Sequence, residues 1–420
     1  MEKRRQIIIG SGTAGIAALR QLRKAGCDDD VTVLTMERHA PYSPMSLPYV
    51  VSEKVRESDI RMVPDAFFDR MGATLVRERL VTAVVPGEQR VLYEGGQSDH
   101  YDRLLIASGS DPVVPPVVSG VGGTGFHVMD DCAALMEKLK GKRKITLVGA
   151  GLVAMELAAA LKEKGHEITV IAPRERILRS YFDLEAAGRI ADLFAGSGVK
   201  INLNWGEAVG AERSGTEIQV RFSGGGVVES EILLACIGVK ARVSFLRGSG
   251  IEVRSGIVVD RRMRTNIPNI LAAGDAAEAV DFFTGRTAFS PILPNAVSQG
   301  RIAGSTMAGE EAEYAGSLPM NVFNFFGHLA TSIGKTVPSE GDDVLIGRRN
   351  GGYGKIICNG DRLLGAAFLD TDIDAGAIHY LIRKGIGIGR HRDRLLASPR
   401  EIGLWLMNEA EKSETISKEE

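Results

Sequence analysis

The stretch Arg5-Gln6-Ile7-Ile8-Ile9-Gly10-Ser11-Gly12-Thr13-Ala14-Gly15-Ile16 decides how this chain is read. Three apolar residues, Ile7–Ile9, predict a short buried strand, and Ile16–Lys24 predicts a helix. Between them lies a Gly-x-Gly-x-x-Gly turn, Gly10 to Gly15, in the strand–turn–helix context that gives the motif its meaning. Its glycines permit a tight turn, backbone approach to a pyrophosphate and close helix packing. The helix N-terminus, reached through Thr13 and Ala14, then offers unpaired N–H groups to phosphate oxygens. A second strand, Val31–Thr35, leads to Glu37, 22 residues after Gly15, where a carboxylate accepts hydrogen bonds from a ribose.

The same pattern returns 139 residues later as Gly149-Ala150-Gly151-Leu152-Val153-Ala154. It sits between a strand at Ile145–Val148 and a helix at Leu152–Lys164, with the next strand at Ile168–Ile171. Ala154 replaces the third glycine, a tolerated variant. The expected acid after that strand is missing: the chain reads Ala172-Pro173-Arg174-Glu175. Arg174 suits a 2′-phosphate, whereas Glu175 suits a 2′-hydroxyl after a small backbone shift, so NAD and NADP both stay open and NAD is favoured. The sequence therefore predicts an α/β protein with two dinucleotide-binding units in tandem.

The 420 residues call for two to four domains. Lys+Arg total 51 and Asp+Glu 53, a formal net charge of -2, which removes the electrostatic case for a nucleic-acid partner. The 50 glycines are clustered and read as turns rather than disorder. The longest apolar candidate, Ile145–Leu161, is broken by Glu156 and by glycines, so no membrane partner is expected. The start lacks the apolar core of a signal peptide, and a cytoplasmic location is expected. Cys27, Cys132, Cys236 and Cys358 are far apart, and the histidines lack a ligand spacing, so no metal site is expected within the chain. Asp111–Pro116 reads as a connector, Ile251–Asp260 as a strand pair, and Asn408–Glu420 as a frayed tail.

Three further stretches carry a resemblance. Thr265–Asp275, TNIPNILAAGD, resembles the segment that binds the flavin side of FAD in the pyridine nucleotide–disulfide oxidoreductase family. The resemblance implies that Gly274 lets backbone approach the ligand and that Asp275 holds the ribityl and pyrophosphate region. Asp102–Gly109, DRLLIASG, is similar to the family strand whose small residue and glycine, here Ser108 and Gly109, edge the FAD domain. Ser290–Arg301, SPILPNAVSQGR, resembles the helix whose N-terminus faces the flavin pyrimidine, with Asn295 and Ala296 nearest the ring.

The implied architecture is two Rossmann-like domains, one inserted in the other, plus a C-terminal α+β interface domain. FAD would occupy 1–112 and 245–315, NAD(P) 113–244, and the interface domain 316–420. At the redox position the related coenzyme A-disulfide reductases and NADH oxidases carry a cysteine before Gly-Leu-Pro-Tyr. Here Met45 stands there, in Met45-Ser46-Leu47-Pro48-Tyr49. A thioether forms no thiolate or disulfide, so cysteine-dependent chemistry is disfavoured. Glu156 matches a family carboxylate near flavin N5 and the nicotinamide, with Lys54 as a conceivable partner; a purely structural role is equally open. Leu152 stands where several relatives place a nicotinamide-gating tyrosine.

Without a redox cysteine, electrons must leave the flavin for a separate acceptor. The segment Pro41–Tyr49, PYSPMSLPY, resembles the FAD subunits of multi-subunit iron–sulfur oxidoreductases, such as tungsten-containing aldehyde oxidoreductases and phenylglyoxylate dehydrogenase. The expected function is exchange of electrons between NAD(H) and iron–sulfur clusters of a partner subunit in a hetero-oligomeric aldehyde or 2-oxoacid oxidoreductase complex. A free-standing rubredoxin or ferredoxin reductase is the alternative, and a redox-sensing FAD protein similar to apoptosis-inducing factor the alternative of another class. The basic stretch Arg383–Arg394 is a candidate for steering an acidic partner or simply a solvated loop.

Overall fold

A computed structural model describes residues 3–349 and 351–419. The chain forms two compact units, Met1–Val113 with His127–Ala133 and Val239–Ser317, and Val114–Phe126 with Ala134–Gly238 and Leu318–Glu420. In the first unit, Arg5–Ile9 lies at the centre of a five-stranded sheet, ordered Ile270–Ala272, Arg103–Ile106, Arg5–Ile9, Asp30–Leu34, Ala73–Val76. Every pairing in it is parallel, as helical crossovers require. Ile8, Val33, Leu104, Leu105 and Ile106 are fully buried. Each such side chain stabilises the fold by about 1.5–3 kcal/mol. The apolar runs are continuous because both sheet faces are covered.

The helix Thr13–Lys24 follows the first turn, and Leu293–Ala308 packs on it. Gly300 and Gly304 make that approach possible. A Cβ on Gly300 would lie 2.3 Å from the Ala14 carbonyl oxygen, and one on Gly304 2.4 Å from that of Ala18.

In the second unit a four-stranded parallel sheet is ordered Lys200–Asn202, Glu167–Ile171, Lys144–Val148, Ile232–Ala235. The two parallel nucleotide-type sheets expected from the repeated motif are thus the ones observed. A five-stranded antiparallel sheet, Met320–Phe325 to Arg362–Leu369, belongs to the same unit. One face of it stacks Phe323 and Phe325 on Phe194 of the helix Leu184–Gly196, at ring-centroid distances of 6.4 and 5.0 Å. These three phenylalanines are buried in the core.

Some local expectations are corrected. Asp111–Pro116 is more than a connector: Ser110–Pro112 pairs antiparallel with Val239–Ala241. Within Ile251–Asp260 only Ile257–Val258 forms a strand, because the tight turn that Arg254 N–H closes on the Gly256 carbonyl leaves a single Val253–Ile257 bridge. The tail is helical from Pro399 to Glu419, because Ile402 and Leu406 bury one face of the helix; Glu420 lies outside the described residues. Among the described residues no helix is long and apolar enough to cross a membrane.

Candidate active site

The first fingerprint splits its glycines by what they touch. Gly10 has φ +110°, and a Cβ there would lie 2.0 Å from the Ala107 carbonyl oxygen. A Cβ on Gly15 would lie 2.0 Å from the Gly10 carbonyl oxygen. Gly12, just before the helix, meets nothing within 4 Å. Its own neighbourhood therefore does not require a glycine there, while a close-lying phosphate would. No side chain caps this helix, so its first N–H groups remain available to an anion. Thr13 spends its hydroxyl on the Met62 sulfur, 3.5 Å away.

The other motifs of this unit converge on the same turn. Gly274, with φ +73°, has room for no side chain: a Cβ would lie 2.9 Å from Ala14 Cβ and 3.6 Å from Ala296 Cβ. The Gly274 N–H donates to Gln299 Oε1 at 2.8 Å, a buried contact that no sequence motif pointed to. Asp275 accepts a 2.9 Å hydrogen bond from Ser110 Oγ, which lies 3.3 Å from His127 Nε2. Burial pushes the Asp275 carboxyl up, against the opposing pull of Ser110 and His127.

Glu37 accepts from Tyr42 Oη at 2.7 Å, and that oxygen accepts the Met129 N–H at 2.8 Å. Burial, with the Glu37 charge beside it, holds the phenol protonated far above its ordinary range. Asn295 is buried, and its amide is consumed by Ser290 and by Tyr314 Oη. Its side chain braces the helix start, and only its backbone is left for a ligand. Ser108 donates to the Arg242 carbonyl at 2.7 Å, and Gly109 beside it takes φ +73°. Met45 lies in a short helical turn, Pro44–Ser46, with 54% of its surface exposed.

The second unit repeats the first turn. Gly149 has φ +112°, and a Cβ would lie 2.3 Å from the Cys236 carbonyl oxygen, while Gly151 again meets nothing within 4 Å. Behind it Leu152 is half-buried, Val153 is exposed and Ala154 is buried. The Leu178 N–H, from the loop after the second strand, donates to the Ala150 carbonyl at 2.8 Å and folds that loop over the turn. Arg174 is exposed on it, and Glu175 pairs with Arg176 at 2.5 Å rather than standing free.

Burial pushes the Glu156 carboxyl up to about 7. Among the described residues no hydrogen bond or cation offsets this, so the carboxyl is only partly ionised near neutrality. Burial, and after it the Glu156 charge, raise the phenol of Tyr181. The Ser110–Asp275 and Met129–Tyr42 contacts had no signal in spacing, because each joins distant segments.

Around Tyr181 the loop is clamped to the antiparallel sheet. Ser332 Oγ donates to the Tyr181 carbonyl at 2.8 Å. Asp183 caps the helix Leu184–Gly196 through the Ala186 N–H and accepts from Tyr353 Oη at 2.6 Å and Lys355 Nζ at 3.1 Å. In the basic stretch Arg392 is committed to Asp343 and to the Gly360 carbonyl.

Two uncapped fingerprint turns, each with a glycine, Gly12 or Gly151, that faces open space, define a protein built around two dinucleotides. The chain belongs to the pyridine nucleotide-disulphide oxidoreductase family, whose description matches residues 4–309. It is an NAD(P)H-dependent flavoprotein oxidoreductase with FAD and a nicotinamide dinucleotide as its cofactors. It is 33% identical to the NADH-dependent phenylglyoxylate dehydrogenase subunit epsilon of Aromatoleum evansii, over 97% of this chain and 98% of that one. Its fold is that of putidaredoxin reductase in a covalent complex with putidaredoxin, at a TM-score of 0.85 and 21% identity, over 94% of this chain and 96% of that one. It is also that of NADH:rubredoxin oxidoreductase from Clostridium acetobutylicum, at a TM-score of 0.73 and 22% identity, over 94% and 100%.

Proposed function

We propose that this chain is the FAD subunit of an NAD-linked, multi-subunit iron–sulfur oxidoreductase acting on an aldehyde or 2-oxoacid, and that it passes electrons between the clusters and NAD. The observation that carries the reading is near-end-to-end similarity to a phenylglyoxylate dehydrogenase subunit. Met45 at the redox position supports it, because a thioether leaves no thiol to take the electrons inside the chain. FAD, when bound, joins a two-electron hydride to single-electron transfer.

The residues divide that work. Gly10, Gly12, Gly15 and Glu37 hold the adenosine and pyrophosphate end of FAD, and Gly274, Asp275 and the helix starting at Leu293 hold its flavin side. Gly149, Gly151 and the N-terminus of Leu152–Glu163 hold the nicotinamide dinucleotide. Glu156, its carboxyl raised to about 7 by burial, carries only part of a negative charge near neutrality on the nicotinamide side. Residues 316–420 form the docking domain, and a cytoplasmic location goes with NAD(H) as co-substrate.

The test is anaerobic titration of the purified chain with NADH and then NADPH while recording the flavin spectrum, followed by affinity purification from the native cell. Rapid bleaching by NADH and co-purification of cluster-bearing subunits are expected. A chain that is complete alone and reduces rubredoxin or ferredoxin would replace the subunit reading with a free-standing reductase. Slow reduction with a long-lived charge-transfer band would favour a redox-sensing binding protein.

A further inference from the structure

The segment His127–Ala133 lies apart in sequence from the rest of the first unit, yet it is tied into it at four places. The Met129 N–H donates to Tyr42 Oη, which donates on to Glu37. The Asp130 carboxylate accepts from Arg38 at 2.9 Å and meets His39 Nε2 at 3.0 Å, while His39 Nδ1 faces Glu57 at 3.0 Å. Cys132 Sγ lies 4.0 Å from the Leu47 carbonyl. At the other end His127 Nε2 meets Ser110 Oγ, whose single proton goes to Asp275. That donation makes His127 Nε2 the donor to Ser110. The segment is also braced internally, since Asp131 Oδ2 accepts the N–H groups of His127 and Val128 at 2.8 and 3.1 Å.

We propose that His127–Ala133 is a strap that sets both cofactor-facing carboxylates at once, with Tyr42 aiming Glu37 and His127, through Ser110, aiming Asp275. The reading rests on FAD occupying the first fingerprint. Each carboxylate has one oxygen taken by its brace, Glu37 Oε2 and Asp275 Oδ2, and among the described residues no hydrogen bond takes the other oxygen, which the brace orients. Tyr42 and His127 are thus positioning residues, and the strap removes rotamer freedom that FAD binding would otherwise have to freeze.

The test measures FAD dissociation constants of apoprotein by flavin-fluorescence quenching, for FAD and for its analogue lacking the adenosine 2′-hydroxyl. Tyr42→Phe keeps the ring and loses only the hydroxyl. It should weaken FAD about tenfold, and the loss should vanish with the deoxy analogue, because the hydroxyl that Glu37 holds is gone. His127→Leu should weaken FAD and its analogue alike by about tenfold, and His127→Gln, which restores a donor, should recover most of it. Equal losses for both ligands in Tyr42→Phe, or no rescue by Gln, would reduce the strap to ordinary packing and overturn the proposal. Wild-type-like affinity in both variants would do the same while leaving the FAD assignment intact. Failure of the wild-type apoprotein itself to bind FAD would instead remove the cofactor reading on which the strap depends.

Discussion

Gly274 and Ala14, 260 residues apart in sequence, touch so closely that a single Cβ on Gly274 would come within 2.9 Å of the Ala14 methyl. This contact brings the end of the strand Ile270–Ala272 against the first turn of the helix Thr13–Lys24. Gly274→Val meets both that wall and a left-handed backbone, φ +73°. It should destabilise the protein by about 2–4 kcal/mol and release FAD, as thermal unfolding and the flavin content of purified protein would record.

Gly10 and Gly12 should separate folding from binding. Gly10→Ala forces a Cβ to within 2.0 Å of the Ala107 carbonyl oxygen and should lower apoprotein stability by more than 2 kcal/mol. Gly12→Val points into open space, so the apoprotein should unfold within about 1 kcal/mol of wild type. FAD affinity should nevertheless fall by about 100-fold or more. Equal apoprotein stability for the two variants would contradict the division.

Stability should carry the mark of Glu156. Its carboxyl is raised from 4.5 to about 7 by burial, so between these values the native state binds more protons than the unfolded one. Stability that is present below about pH 4.5 is then lost as pH rises through 7, by up to about 3 kcal/mol. Glu156→Gln should flatten that decline, and denaturant unfolding from pH 5 to 8 would show it. A wild-type profile as flat as the variant's would contradict the raised carboxyl.

Arg174 is exposed, while its neighbour Glu175 is paired with Arg176. If Arg174 is the group that meets a 2′-phosphate, Arg174→Ala should raise the KM for NADPH about tenfold or more and change that for NADH less than twofold. Steady-state kinetics with both nucleotides decides it; a loss shared by both would assign Arg174 to the loop itself.

Asp183 ties the nucleotide loop to the antiparallel sheet through Tyr353 and Lys355, and Lys355 has only 7% of its surface exposed. Asp183→Ala removes a helix cap and strands a buried ammonium, a loss of about 3–5 kcal/mol in thermal or denaturant unfolding. Asp183→Asn, which keeps a cap, should lose less. Equal losses in the two variants would show that the cap is immaterial and that the lost charge carries the whole effect.

The sequence by itself determined the two glycine turns with their strands and helices. These are local: a glycine pattern between an apolar run and a helical one specifies its own backbone within a few residues. It also determined what Met45 cannot do, because that follows from the chemistry of one side chain. Tertiary structure alone decided that Asn295 braces its helix instead of offering its amide, that Ser110 holds the Asp275 carboxylate, and that Met129 reaches Tyr42, which holds Glu37. Those contacts join segments as far apart as Ser110 and Asp275, 165 residues in sequence. Hydrogen bonding and burial depend on what the fold brings alongside, and no periodicity within a segment encodes its distant neighbour.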